Sequence, residues 1–380
     1  MKKILICASR VSHILFFHLP YIKLFKENGW TVDIAAEGTA DHPDIDRCYD
    51  LKYVKNPFST RNLKTIKELK RIMRENRYDI VYSNSTLAGF AMRSAVKSLG
   101  RERPYCIHIS HGYMFDDKAG LRSVLYRTAE RMTSKVTDRL IVMNSEDLRL
   151  AEKYKLGKSI FFTDGMGLCP DCFPPLDTVR KNELRKSLGA DKDSLVFLCV
   201  GEFSSRKNQT LIIEALERTV KQNKSCIAVF AGQGAALDEC RRLVNKYELE
   251  TNTRFPGQVK DVNSLYRSAD VLISASKMEG LPFNVMEALY CGTPVIASDI
   301  KGHSDLIRNG FNGLFFSLEC PDPAGQLSQL MLKLINDRKY LSLLRSNTFL
   351  DEKYTIDKVS PKLFGLLSKT QIKTPEVLRQ

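Results

Sequence analysis

The sequence predicts an α/β protein made of two doubly wound domains that face each other across a cleft. Short apolar runs alternate with longer amphipathic segments along the whole chain, which is typical of parallel sheets covered by helices on both faces. The chain has 380 residues, more than one ordinary domain holds. Glycine, proline and cysteine interrupt the alternation between residues 165 and 190, where we expect the two domains to join.

In the first half of the chain, apolar runs predict five buried strands, at 4–8, 32–36, 80–84, 106–110 and 140–144. Amphipathic segments predict helices at about 18–28, 62–76, 87–99, 120–134 and 146–155. The first apolar run is short and ends at Arg10, so it fits a buried strand better than a signal peptide.

The second half repeats this plan, with strands predicted at 195–200, 227–231, 253–256, 271–275, 294–298 and 313–316. Helices are predicted at about 208–222, 235–248, 283–290 and 321–336. Residues 370–380 are polar and are expected to be a frayed end. Ligands of such sheets bind beyond the carboxyl ends of the strands, so the cleft between the domains is the expected site.

Composition limits the class of protein. The chain is 43% hydrophobic and 27% charged, as globular proteins are, and no apolar run is long enough to cross a bilayer. We therefore expect a cytoplasmic protein. The ten cysteines lie mostly in apolar runs, which predicts buried reduced thiols. The close pair Cys169 and Cys172 is read as two free thiols in a linker rather than a metal or redox site.

Positive charge is concentrated in one region. The formal net charge is +14, and residues 51–103 hold thirteen lysines and arginines but four acids, which indicates an anionic partner. Within it, the predicted helix 61–77 has a basic face opposite an apolar one. It can be an ordinary surface helix, or its basic face can also rest on an anionic membrane surface. No recognised nucleic-acid motif accompanies these charges, so nucleic acid is not an expected partner.

Residues 277–299 read K-M-E-G-L-P-F-N-V-M-E-A-L-Y-C-G-T-P-V-I-A-S-D. Glu279 follows an apolar strand, and a helix is expected to begin near Phe283, where unpaired amides can bind the phosphates of a sugar diphosphate. Carboxylates only accept hydrogen bonds, so Glu279 can hold sugar hydroxyls and Glu287 a ribose diol. The alternative is that Glu279 is an ordinary loop acid and Glu287 a solvated helix residue. Apolar residues surround Glu287 in the sequence, which makes this alternative weaker.

This stretch resembles the E-x7-E segment of glycosyltransferase family 4, retaining enzymes of the GT-B fold. V-G-E-F-S-S-R-K-N-Q-T-L-I-I-E-A-L at 200–216 resembles the family's phosphate loop. Further matches follow in the family's order: A-G-Q-G at 231–234, F-P-G-Q-V-K-D-V at 255–262 and L-Y-R-S-A-D-V-L-I-S-A-S at 265–276. The first half resembles the bacterial capsule and exopolysaccharide branch more loosely, through F-H-L-P-Y-I at 17–22, Y-D-I-V at 78–81 and H-I-S-H-G-Y at 108–113.

The resemblance implies two facing Rossmann-like domains: an acceptor-side domain at 1–168, joined by a helix at about 356–370 that crosses back, and a nucleotide-sugar domain at 176–355. It implies a hexosyl- or N-acetylhexosaminyltransferase that uses a nucleotide sugar, usually UDP-linked. The acceptor would be a hydroxyl of a glycan or polyprenyl-linked glycan in surface polysaccharide synthesis. No cofactor and no metal are expected, and a peripheral location at the inner face of the cell membrane stays open.

The resemblance also assigns roles to residues. Glu279 matches the contact to the donor sugar, Glu287 the ribose contact, and Lys207 the diphosphate lysine that Arg206 can assist. Val259 matches a region that packs on the nucleobase. Together the expected donor-binding residues are Arg206, Lys207, Val259, Glu279, Gly280, Leu281, Pro282, Phe283 and Glu287. The expected catalytic residues are His111, Glu279 and Lys207. His13 and His18 are candidates for the acceptor pocket, with packing roles as the alternative.

Three features depart from the family's pattern. Gly201 is followed by Glu202 where the family often has arginine, the glycine-rich turn after the first strand is absent, and S-N-S-T at 83–86 replaces C-H-T-P. They keep open the alternative of a non-catalytic partner subunit of another glycosyltransferase. A second alternative is a sugar-nucleotide epimerase of related fold, against which the E-x7-E and R-K-N segments speak. The acids Asp44 and Asp46 are read as a solvated loop rather than a metal site.

Overall fold

The computed structural model describes residues 1–54, 59–117 and 120–368. Contacts divide the chain into two units. The first comprises Met1–Gly167 and the segment that begins at Ile356, and the second comprises Leu168–Thr355. Each unit is a parallel sheet with helices, so the predicted α/β class with two doubly wound sheets is confirmed. The predicted cleft between the domains stays a prediction.

The described part of the first unit contains a sheet of seven parallel strands in the order β3-β2-β1-β4-β5-β6-β7. The strands are β1 Lys3–Arg10, β2 Thr31–Glu37, β3 Arg47–Asp50, β4 Ile80–Asn84, β5 Tyr105–Ile109, β6 Arg139–Val142 and β7 Ser159–Phe162. The helices between them are α1 Val11–Phe17, α2 Leu19–Glu27, α3 Asn62–Asn76, α4 Thr86–Lys97, α5 Leu121–Ser134 and α6 Ser145–Tyr154.

The second unit contains a sheet of six parallel strands in the order β10-β9-β8-β11-β12-β13. These strands are β8 Leu195–Val200, β9 Cys226–Ala231, β10 Thr253–Gly257, β11 Val271–Ser274, β12 Val295–Ser298 and β13 Gly313–Phe316. Its helices are α7 Thr178–Ser187, α8 Gln209–Gln222, α9 Leu237–Lys246, α10 Val262–Ser268, α11 Phe283–Tyr290, α12 Pro323–Asn336 and α13 Arg338–Ser346.

The last described helix, α14 at Ile356–Ser368, belongs to the first unit although the whole second unit precedes it in the chain. The ring of Phe364 lies 5.0 Å from the ring of Phe25 on α2. The guanidinium of Arg139 at the start of β6 donates a hydrogen bond to the carbonyl of Leu366. The first unit is therefore completed by a separate stretch of chain. The expected frayed end at 370–380 lies outside the described residues.

The strand order reverses direction between β1 and β4 in the first sheet and between β8 and β11 in the second. Open α/β sheets bind ligands at such switch points, beyond the carboxyl ends of the strands. In the second unit, the loops that follow β8 and β11 carry Lys207 and Glu279. In the first unit, the segments that follow β1 and β5 carry His13 and His111. The topology thus places the predicted site residues at the binding edge of their own sheet.

One helix was missed by the sequence prediction. The helix predicted over 18–28 corresponds to α2, Leu19–Glu27, and a separate helix, α1 at Val11–Phe17, precedes it and meets it at His18. Pro20 lies in the first turn of α2, where it cannot donate the backbone hydrogen bond that a continuous helix needs. The division places His18 at the junction, fully buried.

All ten cysteines are free thiols, but only five are buried, because Cys48, Cys169, Cys172, Cys291 and Cys320 lie partly or fully exposed. Cys169 and Cys172 lie at a short 3-10 turn, Pro170–Cys172. Asp46, in the loop read as solvated, accepts a hydrogen bond from the amide of Val32 and pairs with Lys26. Among the residues that the structure describes, none of the helices is both long and apolar enough to cross a membrane.

Candidate active site

The loop after β8 is shaped around the side chain of Lys207. Gly201 has a φ of +152°, and a Cβ atom there would lie 3.2 Å from Cε of Lys207, so glycine leaves room for the lysine stem. The Ser204 hydroxyl accepts a hydrogen bond from the amide of Lys207 at 3.3 Å. Asn208 adopts the left-handed conformation and starts α8. The loop therefore holds Lys207 at the carboxyl end of the sheet.

Glu279 lies at the centre of the predicted donor site. Its Oε1 atom is 2.8 Å from Nζ of Lys207 and 2.9 Å from a guanidinium nitrogen of Arg206. The Glu279 side chain is 9% exposed, whereas that of Arg206 is 40% exposed. Burial alone would raise the pKa of Glu279, but the two cations outweigh it and lower the pKa to about 2. The structure thus brings three predicted site residues together as an ionised group.

Helix α11 begins directly after this ion-paired group. Gly280, Leu281 and Pro282 are buried. Pro282 is the N-cap residue of the helix, and its side chain makes no capping hydrogen bond to the first amides. Asn284, in the first turn, donates to the carbonyl of Val200 at the end of β8 and so fixes the start of the helix against the sheet. Amides and the helix dipole at such a start favour a phosphate group.

Gly302 lets two loops approach each other behind this helix start. Its φ is +82°, and a Cβ atom there would lie 2.2 Å from the carbonyl oxygen of Gly280, so another residue would displace one of the loops. The next residue, His303, is buried and accepts a hydrogen bond at Nε2 from the hydroxyl of Ser274. Its Nδ1 donates to the carbonyl of Ser298 at 2.8 Å.

Burial lowers the pKa of His303 to about 4, so this imidazole is neutral at physiological pH. Its two hydrogen bonds join β11 to β12 beside the helix start. Sequence reasoning missed both Gly302 and His303. The signal it could have used is the Gly-His pair that follows soon after a strand ending at Ser298.

Glu287 lies inside α11, on the face that meets α10. The Tyr266 hydroxyl donates a hydrogen bond to its Oε2 atom at 2.6 Å. Burial raises the pKa of Glu287, and the Tyr266 bond and nearby Lys207 act in the opposite direction. The side chain stays partly exposed, so it can accept further hydrogen bonds. Sequence reasoning missed Tyr266, although the segment 265–276 contains it.

The remaining predicted donor residues lie in the same unit. Phe283 is partly exposed at the first position of α11. Val259 is partly exposed in the turn between β10 and α10, and it takes no part in the ion pairs of Glu279. The predicted contact of Val259 with a nucleobase stays a prediction.

In the first unit, His13, His18 and His111 form one cluster. One ring nitrogen of each lies within 4.8 Å of those of the other two. Burial lowers the pKa of His13 to about 4, and burial together with the histidine neighbours also lowers the pKa values of His18 and His111. All three imidazoles are therefore neutral at physiological pH. His111 also contacts Oδ1 of Asn84 through its Nε2 at 3.2 Å.

A cavity of about 410 Å³ adjoins this cluster. Ser85, on its wall, has a φ of +68° and a ψ of 151°, a conformation that costs energy for any residue other than glycine. The Ser85 hydroxyl lies 2.8 Å from that of Ser9. Strained residues often mark functional sites. The residues that line the cavity are Ser9, Arg10, Ser12, His13, Phe16, Phe17 and Ser85.

Sequence comparisons identify relatives of both halves. The family described as glycosyl transferases group 1 matches residues 180–349, and glycosyltransferase family 4 matches residues 22–159. The putative glycosyltransferase EpsD of Bacillus subtilis is 32% identical over 319 residues, which are 83% of this chain and 84% of that protein. The Escherichia coli UDP-Gal:alpha-D-GlcNAc-diphosphoundecaprenol alpha-1,3-galactosyltransferase is 27% identical over 312 residues, 77% of this chain and 76% of that enzyme.

Solved structures share the fold. Sucrose-phosphate synthase from Thermosynechococcus elongatus matches with a TM-score of 0.76 and 19% identity, over 97% of this chain and 99% of that chain. Anabaena HepE, solved in complex with UDP and glucose, matches with a TM-score of 0.75 and 16% identity, over 97% of this chain and 100% of that one. At these identities the likeness shows the fold alone.

Proposed function

The chain belongs to glycosyltransferase family 4, and from this premise we propose that it is a retaining enzyme with a UDP-sugar donor and a lipid-linked acceptor. It moves a sugar from a nucleotide sugar. The acceptor is a hydroxyl of a glycan or polyprenyl-linked glycan, and the product enters surface polysaccharide. One relative supports these finer assignments: by its name, the Escherichia coli enzyme uses UDP-Gal and a diphosphoundecaprenol acceptor.

The observation that carries the proposal is the shared contact of Lys207 and Arg206 with Oε1 of Glu279, beside the start of α11. A sugar diphosphate needs cations and backbone amides to bind its phosphates, and hydrogen-bond acceptors to bind its hydroxyls. The loops after β8 and β11 offer the cations Arg206 and Lys207, the amides at the start of α11, and the carboxylate acceptor Glu279. Glu287 adds a partly exposed acceptor inside the same helix for a ribose diol.

In the proposed reaction, the bond between the anomeric carbon and the diphosphate oxygen breaks, and a bond to the acceptor oxygen forms on the same face of the sugar. The departing phosphate takes the proton of the acceptor hydroxyl. Lys207 and the amides at the start of α11 stabilise the negative charge that develops on the leaving group. No divalent ion is assigned to this role, because these groups already offset the charge. His111, a neutral imidazole, positions the sugar by hydrogen bonding.

The partner-subunit and epimerase alternatives differ from a transferase in what the purified chain does with a nucleotide sugar. A panel of UDP- and GDP-sugars, screened by thermal shift, would identify the donor. Slow release of UDP from that donor, lost in Glu279→Gln, supports a transferase. Binding with no UDP release, even with lipid-linked glycan acceptors, supports the partner-subunit alternative. A new sugar nucleotide seen by NMR supports an epimerase.

The proposal includes contact with an anionic membrane surface through the basic helix 61–77, which is α3. The apolar residues Leu69, Ile72 and Met73 of this helix are buried, and Leu63 is 54% exposed. Arg71 is engaged by Glu68 and Glu75 in exposed ion pairs. The cations that remain exposed on α3 for lipid headgroups are Lys64, Lys67 and Arg74.

Helix α5 of the same unit has an exposed apolar stripe. The exposed side-chain fractions are 89% for Leu121, 43% for Val124, 42% for Leu125 and 48% for Met132. The one acid of this helix, Glu130, is buried in an ion pair with Arg93. Both α3 and α5 pack against α4. Exposed apolar residues together with exposed cations are the means by which peripheral proteins enter an anionic lipid surface.

Vesicle co-sedimentation tests this part of the proposal. Vesicles with anionic phospholipid should bind the protein, and phosphatidylcholine vesicles should not. Leu121→Ser with Leu125→Ser should weaken binding, as should reversal of Lys64, Lys67, Lys70 and Arg74 to Glu. A matched control reverses four cations of the second unit, Lys221, Arg241, Arg242 and Lys246. If the control loses as much binding as the α3 variant, net charge rather than this surface is responsible.

A further inference from the structure

The three clustered histidines of the first unit come from two segments of the chain. His13 lies on α1, His18 at the junction of α1 and α2, and His111 directly after β5. The ring centroid of His13 is 5.0 Å from that of His111 and 5.4 Å from that of His18. The α1–α2 segment and the segment after β5 thus bring three imidazoles to one point.

Two nitrogens of the cluster lack a partner although they are buried. These are Nδ1 of His13 and Nε2 of His18, which make no hydrogen bond within the described residues. A buried polar atom without a partner lowers stability, and structures that keep such atoms usually do so for a ligand or an ordered water. The unpaired atoms therefore point to something that binds between the rings.

Hydrogen bonds at the other nitrogens orient two of the rings. The Nδ1 atom of His18 is bonded to the hydroxyl of Tyr82, which is itself buried. The Nε2 atom of His111 donates to Oδ1 of Asn84, because an amide oxygen can only accept, and Nδ1 of His111 keeps its lone pair. Metal-binding histidines are held in this way, with one nitrogen on the ion and the other on a protein group.

We propose that His13, His18 and His111 bind a divalent cation of the zinc class and that the bound cation inhibits sugar transfer. Imidazole nitrogens suit Zn²⁺, Co²⁺, Ni²⁺ and Cu²⁺, and the trio offers no carboxylate for Mg²⁺ or Ca²⁺. Three histidines and one open position form a tetrahedral zinc site. In such a site the Zn–N bonds are about 2.0–2.1 Å long, so the nitrogens lie about 3.4 Å apart. The three nitrogens here lie within 4.8 Å of one another, so zinc binding would shorten their widest separation by roughly 1.4 Å.

Inhibition follows because the cation occupies a nitrogen of His111, and it rests on the proposed function, in which His111 positions the donor sugar. Donor binding by Lys207 and Glu287 involves other residues, so UDP affinity should not change. The cation is an inhibitor and not a cofactor, which is compatible with a transfer reaction that needs no metal.

Binding is tested with Co²⁺ on the full chain after removal of metals by EDTA. Tetrahedral Co²⁺ absorbs strongly in the visible region, and nitrogen ligands give no thiolate charge-transfer band, which distinguishes the trio from Cys169 and Cys172. Wild type and the control His42→Ala should show the absorption. His13→Ala should lose it, while Tyr82→Phe, which removes the hydrogen bond that orients His18, should lower Co²⁺ affinity about 10- to 100-fold.

Circular dichroism and thermal unfolding would check that His13→Ala is folded. This is a mild change, since His13 is partly exposed and, unlike His18, lies outside the fully buried core. No visible absorption in wild type, or equal absorption in His13→Ala, would overturn the site. A thiolate band that disappears in Cys172→Ala would assign the ion to the cysteine pair and would also overturn it.

Inhibition is tested separately. Zn²⁺ should lower the transfer rate of wild type, EDTA should restore it, and the ratio of rates with and without Zn²⁺ should approach one in His13→Ala. Wild-type transfer unaffected by Zn²⁺, despite a Co²⁺ spectrum, would remove the inhibitory role. A chain that binds Co²⁺ through the trio but transfers no sugar under any condition would refute the proposed function and leave the metal site standing.

Discussion

Replacement of Lys207 by alanine tests the donor site most directly. Lys207 is the least exposed cation of the ion-paired group, with a side chain 13% exposed against 40% for Arg206. A hydrogen bond between charged groups contributes about 1.5–3 kcal/mol when partly buried. Loss of that contact to the diphosphate should therefore weaken UDP binding about 10- to 150-fold. Transfer should nearly disappear, because the leaving group loses its main cation.

The structure adds a second contribution to this loss. Without Lys207, the buried carboxylate of Glu279 keeps Arg206 as its cationic partner in the described part of the chain, so less positive charge offsets its repulsion of the incoming diphosphate. The double variant Lys207→Ala with Glu279→Gln separates the two contributions, since it removes the repelling charge as well. If the double variant binds UDP better than Lys207→Ala alone, the difference measures the repulsion.

Isothermal titration calorimetry with UDP is the assay, and Lys221→Ala is the matched control. Lys221 is a lysine of the same unit whose side chain is 73% exposed and pairs with Glu217 on the surface of α8, so its removal should leave UDP binding unchanged. A Lys207→Ala variant whose UDP affinity stays within about twofold of wild type, which is about 0.4 kcal/mol, would remove Lys207 from the donor site.

Four further predictions concern the same enzyme. Glu287→Ala should weaken UDP binding because the ribose loses its acceptor, whereas Glu279→Ala should lower turnover and largely keep UDP binding; an equal loss of UDP affinity in both would refute this division. The pKa of Glu279 is about 2 against an ordinary value of 4.5, so its stabilisation is present above pH 4.5 and is lost as the pH falls towards 2; acid unfolding of Glu279→Gln should lack that part of the pH dependence. Transfer should survive exhaustive EDTA treatment, and proton NMR should show a retained anomeric configuration; activity that returns only with Mg²⁺ or Mn²⁺, or an inverted product, would contradict this assignment. Raised salt should release the protein from anionic vesicles, because charges on the exposed face of α3 are screened; binding that ignores salt would leave α3 as a solvated helix.

The accuracy of the fold prediction follows from how clearly each element is marked in the sequence. Helix α11 has the predicted bounds, Phe283–Tyr290, because Pro282 and Cys-Gly-Thr-Pro enclose a short apolar pattern. The edge strands β3 and β7 were missed. β3 reads R-C-Y-D and has two charged residues in four, while β7 reads S-I-F-F and is only partly buried. Edge strands bury fewer side chains, so they carry a weaker apolar signal than central strands.

The candidate site was predictable where the sequence places its residues beside a strand end. Arg206, Lys207 and Glu279 follow β8 and β11, which are neighbours in the sheet, and the structure joins them at one oxygen. Contacts that depend on packing between distant segments were not predictable. The hydroxyl of Tyr266 on Glu287 and the close approach of Gly302 to Gly280 are of this kind. The roles assigned to these residues in catalysis stay predictions.

The discontinuity of the first unit has a consequence for how the chain folds during synthesis. When the ribosome has made Met1–Gly167, α14 does not yet exist, and the surface of α2 around Phe25 has no Phe364 to cover it. The second unit is contiguous and can complete its core before the first unit does. The half that is synthesised first should therefore finish folding last, and a fragment that ends at Gly167 should need α14 supplied as a separate peptide to become fully stable.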